Sequence, residues 1–261
     1  MRPARALLAV ASAAGVALAV RSALGDPVPV AVAIGALGGY LALVFAGALA
    51  PGLGMFADVV ARGPRGARGV ALTFDDGPHP VHTRAVLALL DRAGARATFF
   101  VLGAKAEAHP EVVREIAARG HLVALHGFAH DRWLALRSLA RVRAELERGV
   151  AALAAITGER PRFYRPPVGQ TNPRIARAAE DLGLTIVGWS ARGRDGVRTT
   201  AARVVARVVP RLEDGAIVLL HDAAERDDRV PVAPAALPAI LDAIAARQLD
   251  CVRVDDWLGE A

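Results

Sequence analysis

GVALTFDDGPHP, residues 69–80, governs how the rest of the chain is read. Val70, Leu72 and Phe74 alternate with smaller residues and predict a short buried strand. It ends in two adjacent carboxylates, Asp75 and Asp76, followed at once by the turn signal Gly77-Pro78. Neighbouring residues at a strand end project in different directions, so one Asp can hold a metal while the other takes a proton. An ordinary Asp-Gly-Pro turn is the bland alternative. The choice between them rests on what stands at the ends of the other strands.

Strand-like and helix-like stretches alternate downstream. Strands are predicted at Ala97–Val101, Leu122–Leu125, Phe163–Tyr164, Leu184–Trp189, Ala216–Leu220 and Asp250–Val254. Helices are predicted at Thr83–Ala93, Pro110–Arg119, Ser138–Ile156, Pro173–Leu182 with Asn172 as cap, Thr200–Val209 and Ala235–Ala246. Such alternation implies an α/β fold with parallel strands and helical crossovers. About seven such units give a closed or nearly closed (β/α) barrel, with functional residues at the carboxyl ends of its strands.

Those ends carry chemistry. HGFAH, residues 126–130, follows one strand, and His126 and His130 can share one face of a helical turn and reach a single metal. With a carboxylate from Asp75-Asp76 they make a two-His, one-carboxylate set, which leaves a position open, as in a catalytic zinc site. RPPVG, residues 165–169, follows another strand, and its prolines stiffen the loop that projects Arg165. His221-Asp222 follows a third. A histidine there is well placed as acid or base, the alternative being a hydrogen-bonded core residue.

Toward the N-terminus the character changes. Hydrophobic residues make up 54% of the 261, and the first fifth is far more apolar than the remainder. Leu7–Val20 and Val28–Ala50 are uncharged apolar runs, the second long enough to span a bilayer. Residues 1–50 are therefore read as a transmembrane hairpin, or as one to two membrane helices, with Gly35, Gly38 and Gly39 allowing close packing. Arg2 and Arg5 before the first run indicate a cytoplasmic N-terminus, and two spans then return the domain to the cytoplasm; one span only, or an inverted N-terminus, would place it outside. Residues 51–68, rich in Gly, Pro and Arg, read as a linker, and 69–261 as the catalytic domain. The net charge of +6 comes almost entirely from arginines interleaved with acids; Lys105 is the only lysine. No basic tract carries interleaved aromatics, which argues against nucleic acid as a partner, while an anionic lipid or polymer fits. Cys251, the only cysteine, excludes an intrachain disulfide and reads as core packing.

TFDDGPHP at 73–80, RPPVG at 165–169 and LLHD at 219–222, in this order, resemble the polysaccharide deacetylase family, the NodB homology domain or carbohydrate esterase family four. The resemblance covers residues 69–255. It implies a distorted (β/α) barrel, a divalent metal (usually zinc), and hydrolysis of N-acetyl or O-acetyl groups on a sugar or polysaccharide. By position it makes Asp75 the catalytic base, Asp76, His126 and His130 the metal ligands, and His221 the general acid steadied by Asp195. It makes Arg165 the residue that orients the base, and places Leu219, Val168 and Pro166 at the substrate.

Four positions depart from the family pattern. Gly127 stands where Ser or Thr is usual, Val168 replaces a common aromatic, and Arg192 and Gly196 sit where Asp and Trp often occur. The catalytic set is complete while the sugar-stacking surface is reduced. The substrate implied is an acetylated glycan, or a lipid-linked sugar deformylated or deacetylated at a bacterial-type inner membrane. A catalytically silent sugar-binding membrane protein is the rival from another class.

Overall fold

The computed structural model describes residues 3–226 and 229–259. Arg2, read above as a flanking charge, lies outside them. Two long helices open the chain, α1 (Pro3–Ala23) and α2 (Val30–Leu49). Both are long and apolar enough to cross a membrane. No residue of α1 and only Gly47 of α2 is buried. They pair as a hairpin: Ser12 Oγ donates to Tyr40 Oη at 3.3 Å, and Arg5 at the start of α1 reaches Asp58 beyond the end of α2. The expected glycine packing is not what joins them. A Cβ on Gly35, Gly38 or Gly39 would enter open space, whereas one on Gly47 would collide with Met55.

Strand β1 (Val59–Val60) follows, within the linker-like stretch, too short for any hydrophobic period to announce. Strand β2 (Val70–Asp75) is buried along its whole length, as a central parallel strand covered on both faces must be. Then come α3 (His82–Arg92), β3 (Thr98–Val101), α4 (Gly103–Ala108), α5 (Pro110–Ala118) and β4 (Leu122–Leu125). Helix α6 (Leu139–Thr157) is capped by Ser138 and ended by Gly158 in the left-handed region. It leads to β5 (Phe163–Tyr164), then α7 (Pro173–Asp181), capped by Asn172 Oδ1 on the Ile175 amide. The rest are β6 (Thr185–Val187), β7 (Ala191–Arg192), α8 (Ala201–Val208), β8 (Ala216–His221), α9 (Ala233–Ala246), β9 (Cys251–Val252) and α10 (Asp255–Leu258).

Among the described residues the strands form one sheet in the order β1-β6-β5-β4-β3-β2-β8-β7, with β9 beside β2. Every paired ladder is parallel. The sheet curls into a half-barrel. Among the described residues no ladder joins its two ends, β1 and β7; an antiparallel bridge runs from Arg62, just after β1, to Ala216 on β8, and residues 188–190 cross from β6 to β7. Cys251 on β9 is half-buried, and burial pushes its thiol up to about 11, which fits packing and disfavours thiolate chemistry.

Candidate active site

Strand register sets the site. Asp75 and His221 are paired across β2 and β8, each the last residue of its strand. His126 follows β4 directly and Arg165 follows β5, their amides held by the Val101 and Leu125 carbonyls. The expected strand-end residues are thus lined up along one edge of the sheet.

The DDGP turn is shaped by what surrounds it. Asp76 takes φ +71°, which turns its carboxylate away from the path of Asp75. A Cβ on Gly77 would collide with the carboxylate of Asp222, so glycine is needed there. Asp222 is itself buried and makes a very short contact with Thr83 Oγ1. Burial pushes its carboxyl up to about 7. Its role is in packing the turn, a role the HD dipeptide alone did not disclose.

The histidine pair does not lie on a helical turn. Residues 126–130 form an irregular loop in which Gly127 has φ +94° and His130 φ +55°. The fold brings the two rings together by this route instead. Glu145 on α6 holds the loop, its Oε1 accepting from the Phe128 amide at 3.0 Å and the Ala129 amide at 2.7 Å.

Three ligand atoms converge. Asp76 Oδ1 lies 3.4 Å from His126 Nε2 and 3.4 Å from His130 Nε2. Bonds of about 2.0–2.1 Å at tetrahedral angles would put ligand atoms about 3.3–3.4 Å apart. Asp76 Oδ1 is also buried with no hydrogen-bond partner, a cost that a cation would remove. His126 Nδ1 donates to the Arg165 carbonyl at 2.8 Å, which leaves Nε2 for the ion. His130 Nδ1 stands 3.1 Å from Glu225, a second outer partner that the sequence pattern did not reveal. This donor set fits a divalent metal.

Charge is arranged around that point. Burial opposes ionisation of Asp76, yet His126, His221 and His130 hold its carboxyl well below the usual range. Burial lowers His130, and the neighbouring His126 lowers it further. Burial also disfavours charge on His126, but Asp75 and Asp76 outweigh it and raise its pKa.

Arg165 is fully buried and satisfied. Its Nη1 donates to Asp75 Oδ1 at 2.7 Å and Thr73 Oγ1 at 2.8 Å, and its Nη2 to the Gly188 carbonyl at 2.8 Å. The guanidinium stacks on Phe100, 4.0 Å from the ring centre. Across the cleft, both oxygens of Asp195 grip His221: Oδ2 accepts its amide at 2.8 Å and Oδ1 faces Nδ1 at 3.0 Å. Burial disfavours the imidazolium, but Asp195, together with Asp76 and Asp75, more than compensates. The pKa of His221 rises to about 9.

Asp75, Asp76, His126, His130 and His221 line an open cleft of about 500 Å³, with Leu219 in its wall and Val168 on its rim, while Arg165 and Asp195 stand behind them. Pro166 is buried behind the loop and does not line it.

The chain is 37% identical over 169 residues to a chitooligosaccharide deacetylase of Sinorhizobium fredii, covering 65% of this chain and 79% of that protein. The polysaccharide deacetylase family profile matches residues 62–187. This chain belongs to the polysaccharide deacetylase family. A peptidoglycan-N-acetylglucosamine deacetylase of Listeria monocytogenes is 34% identical over 191 residues, 73% of this chain; the chain spans 39% of that relative's length. Among solved structures, a family 4 acetyl xylan esterase from Clostridium thermocellum, in complex with a cobalt ion, superposes with a TM-score of 0.66. It is 30% identical, covering 72% of this chain and 89% of that one.

Set within this deacetylase family, the unusual residues have local reasons. Gly127 suits a backbone at φ +94°, and Glu145 fixes the loop that follows it. Gly196 lets its backbone press on the His221 ring, since a Cβ there would stand 2.9 Å from Cε1. Val168 has φ +51°, a strained conformation for a β-branched residue, and it is half exposed at the mouth.

Proposed function

We propose that this chain is a divalent-metal-dependent carbohydrate deacetylase, anchored in a bacterial-type inner membrane by α1 and α2, that hydrolyses acetamido groups of a glycan. The observation that carries this reading is the convergence of Asp75, Asp76, His126, His130 and His221 on one cleft. A silent sugar-binding module has no use for a cation-binding triad, a base and an acid together.

Asp76, His126 and His130 would hold the ion, and zinc suits their two nitrogens and one oxygen. Bound there, it supplies Lewis acidity toward the acetyl carbonyl and makes water acidic enough to react near neutral pH. Asp75 is the base. One of its oxygens is fixed by Arg165, while Oδ2, 3.9 Å from His126 Nε2, faces the cation site and accepts the proton of the attacking water. Leu219 receives the acetyl methyl, and the Val168 amide at the rim is the candidate donor to the developing oxyanion. His221 gives its Nδ1 proton to the bond with Asp195, which keeps the Nε2 proton for the departing amine. The products are acetate and a free amino sugar, with no covalent enzyme intermediate.

Metal content tests the ligand assignment directly. The purified full chain should carry about one equivalent of divalent metal, and His126→Ala should lose most of it while remaining folded by circular dichroism. A folded variant with full metal content would remove Asp76, His126 and His130 from that role.

A further inference from the structure

A second open cleft, of about 700 Å³, adjoins the first, and Trp189, Arg192 and Arg194 line both. Its far side is formed by Arg207 and Arg211, at and just beyond the end of α8. Its near side is Leu49 and Ala50, the carboxyl end of α2. The loop after Val168 is tied to the same place, since the Thr171 amide donates to the Ala48 carbonyl at 3.1 Å. The two clefts therefore make one path from the candidate metal ligands to the end of an apolar helix.

The charge of the second cleft is of one sign. Many of the other arginines are ion-paired, as Arg62 with Glu213, Arg84 with Glu115 and Arg177 with Asp181. No carboxylate lines the second cleft. Among the described residues, Arg192, Arg194, Arg207 and Arg211 have no ion-pair partner. Arg207 is held in place by its bonds to the Gly193 carbonyl at 3.1 Å and Thr199 Oγ1 at 3.5 Å. Burial lowers the pKa of Arg192, with Arg194 and Arg211 lowering it further, so the three cations feel one another. Four gathered guanidiniums are mutually repulsive and cost stability unless an anion joins them. Their forked donors match the oxygens of phosphate.

We propose that this second cleft is a phosphate subsite, and that the substrate is an acetamido sugar joined through a phosphodiester or diphosphate to a membrane lipid. The sugar enters the first cleft beside Trp189, the phosphate rests among Arg192, Arg194, Arg207 and Arg211, and the lipid tail leaves along α2. This rests on the deacetylase reading above and names its substrate class. The reaction is unchanged: water cleaves the amide, and the phosphate linkage stays intact.

The test compares kcat/KM of the full chain in detergent on three acetylated substrates: chitotetraose, N-acetylglucosamine 1-phosphate, and N-acetylglucosamine linked through a diphosphate to farnesol. The lipid-linked sugar should be preferred at least tenfold over each of the others. Arg207→Gln/Arg211→Gln, and Arg211→Gln alone as a milder variant, should lower kcat/KM on the lipid-linked sugar by about 10- to 100-fold, as loss of charge-assisted bonds implies. Chitotetraose turnover should stay within twofold. Titration with inorganic pyrophosphate, followed by tryptophan fluorescence, gives a readout independent of turnover; binding should weaken at least tenfold in the double variant. Pyrophosphate binding lost in that variant, with no substrate turned over by the parent, would keep the subsite and refute the deacetylase reading. Turnover of chitotetraose with no phosphate preference and no pyrophosphate binding would overturn the subsite alone. Equal preference for the free sugar phosphate would overturn the lipid. Equal loss on chitotetraose in both variants would assign these arginines to the fold.

Discussion

His221 and Asp195 make a pair whose electrostatic sign can be measured. The folded protein holds His221 at about 9, above the ordinary histidine value, because the Asp195 carboxylate outweighs the cost of burial. The proton that the proposed mechanism draws from His221 is therefore present at neutral pH and lost as pH rises through that value. A cation at Asp76 would repel the imidazolium and move the loss downward. The pH–rate profile should accordingly have an alkaline limb at or below about 9. Asp195→Asn, which removes the charge and keeps the size, should move that limb to lower pH by on the order of 1 to 2 units. The same pair contributes stability that is complete below about 6.5, the unfolded value, and disappears above about 9. An unmoved limb in Asp195→Asn would mean that another group supplies the proton. At this scale the sequence was highly legible. Asp75, His221 and Arg165 each stand at the end of an apolar run read as a strand, so their place at the edge could be read from the chain. Pro166 could not be placed, because a Pro-Pro pair does not say which side of its loop faces the cleft.

At the scale of elements, the alternation of apolar runs located most of the strands and the longer helices, while α4 (Gly103–Ala108) was not anticipated. β4 and β5 have the boundaries read from the chain, and Ser138, Asn172 and Thr200 cap α6, α7 and α8. Strands β1 and β7 have two residues each, too few for a period, as has β5, which the aromatic pair Phe163-Tyr164 marks in the sequence. The 126–130 loop shows a different limit. His at i and i+4 is compatible with a helical turn, but Gly127 and His130 at positive φ make another shape that also converges the rings. What stabilises that shape is Glu145, remote in sequence and without a local signature. Glu145→Ala leaves both loop amides without their partner. It should weaken metal affinity by about 10- to 100-fold, the usual effect of losing support behind a ligand. Glu145→Gln, which keeps one acceptor oxygen, should restore part of it. Competition with a chromogenic chelator reads both, and unchanged affinity in Glu145→Ala would make the loop self-supporting.

At the scale of the molecule, the hairpin and the barrel are coupled. Arg5 bonds to the Gly54 carbonyl and Asp58, so the start of α1 and the end of α2 lie on the same side, against the domain. This agrees with a pair of spans that returns the chain to the side it left. With both helices inserted, the full chain should stay in the membrane fraction through high salt and alkaline carbonate and dissolve in detergent. Release by salt alone would mean that the helices lie outside the bilayer. The open sheet, rather than a closed barrel, follows from the same architecture: β1 comes straight from the hairpin and pairs on one side only, with β6.

The central claim is that two adjacent aspartates have separate tasks, Asp76 holding metal and Asp75 moving a proton. Acetate release by the full chain, measured beside its metal content for the parent and for Asp75→Asn, tests it most directly. The account predicts that the variant retains about one equivalent of metal and loses at least roughly 10² in turnover, the scale of one positioned proton-transfer group. Parent-like acetate release by Asp75→Asn, with its metal in place, would contradict it.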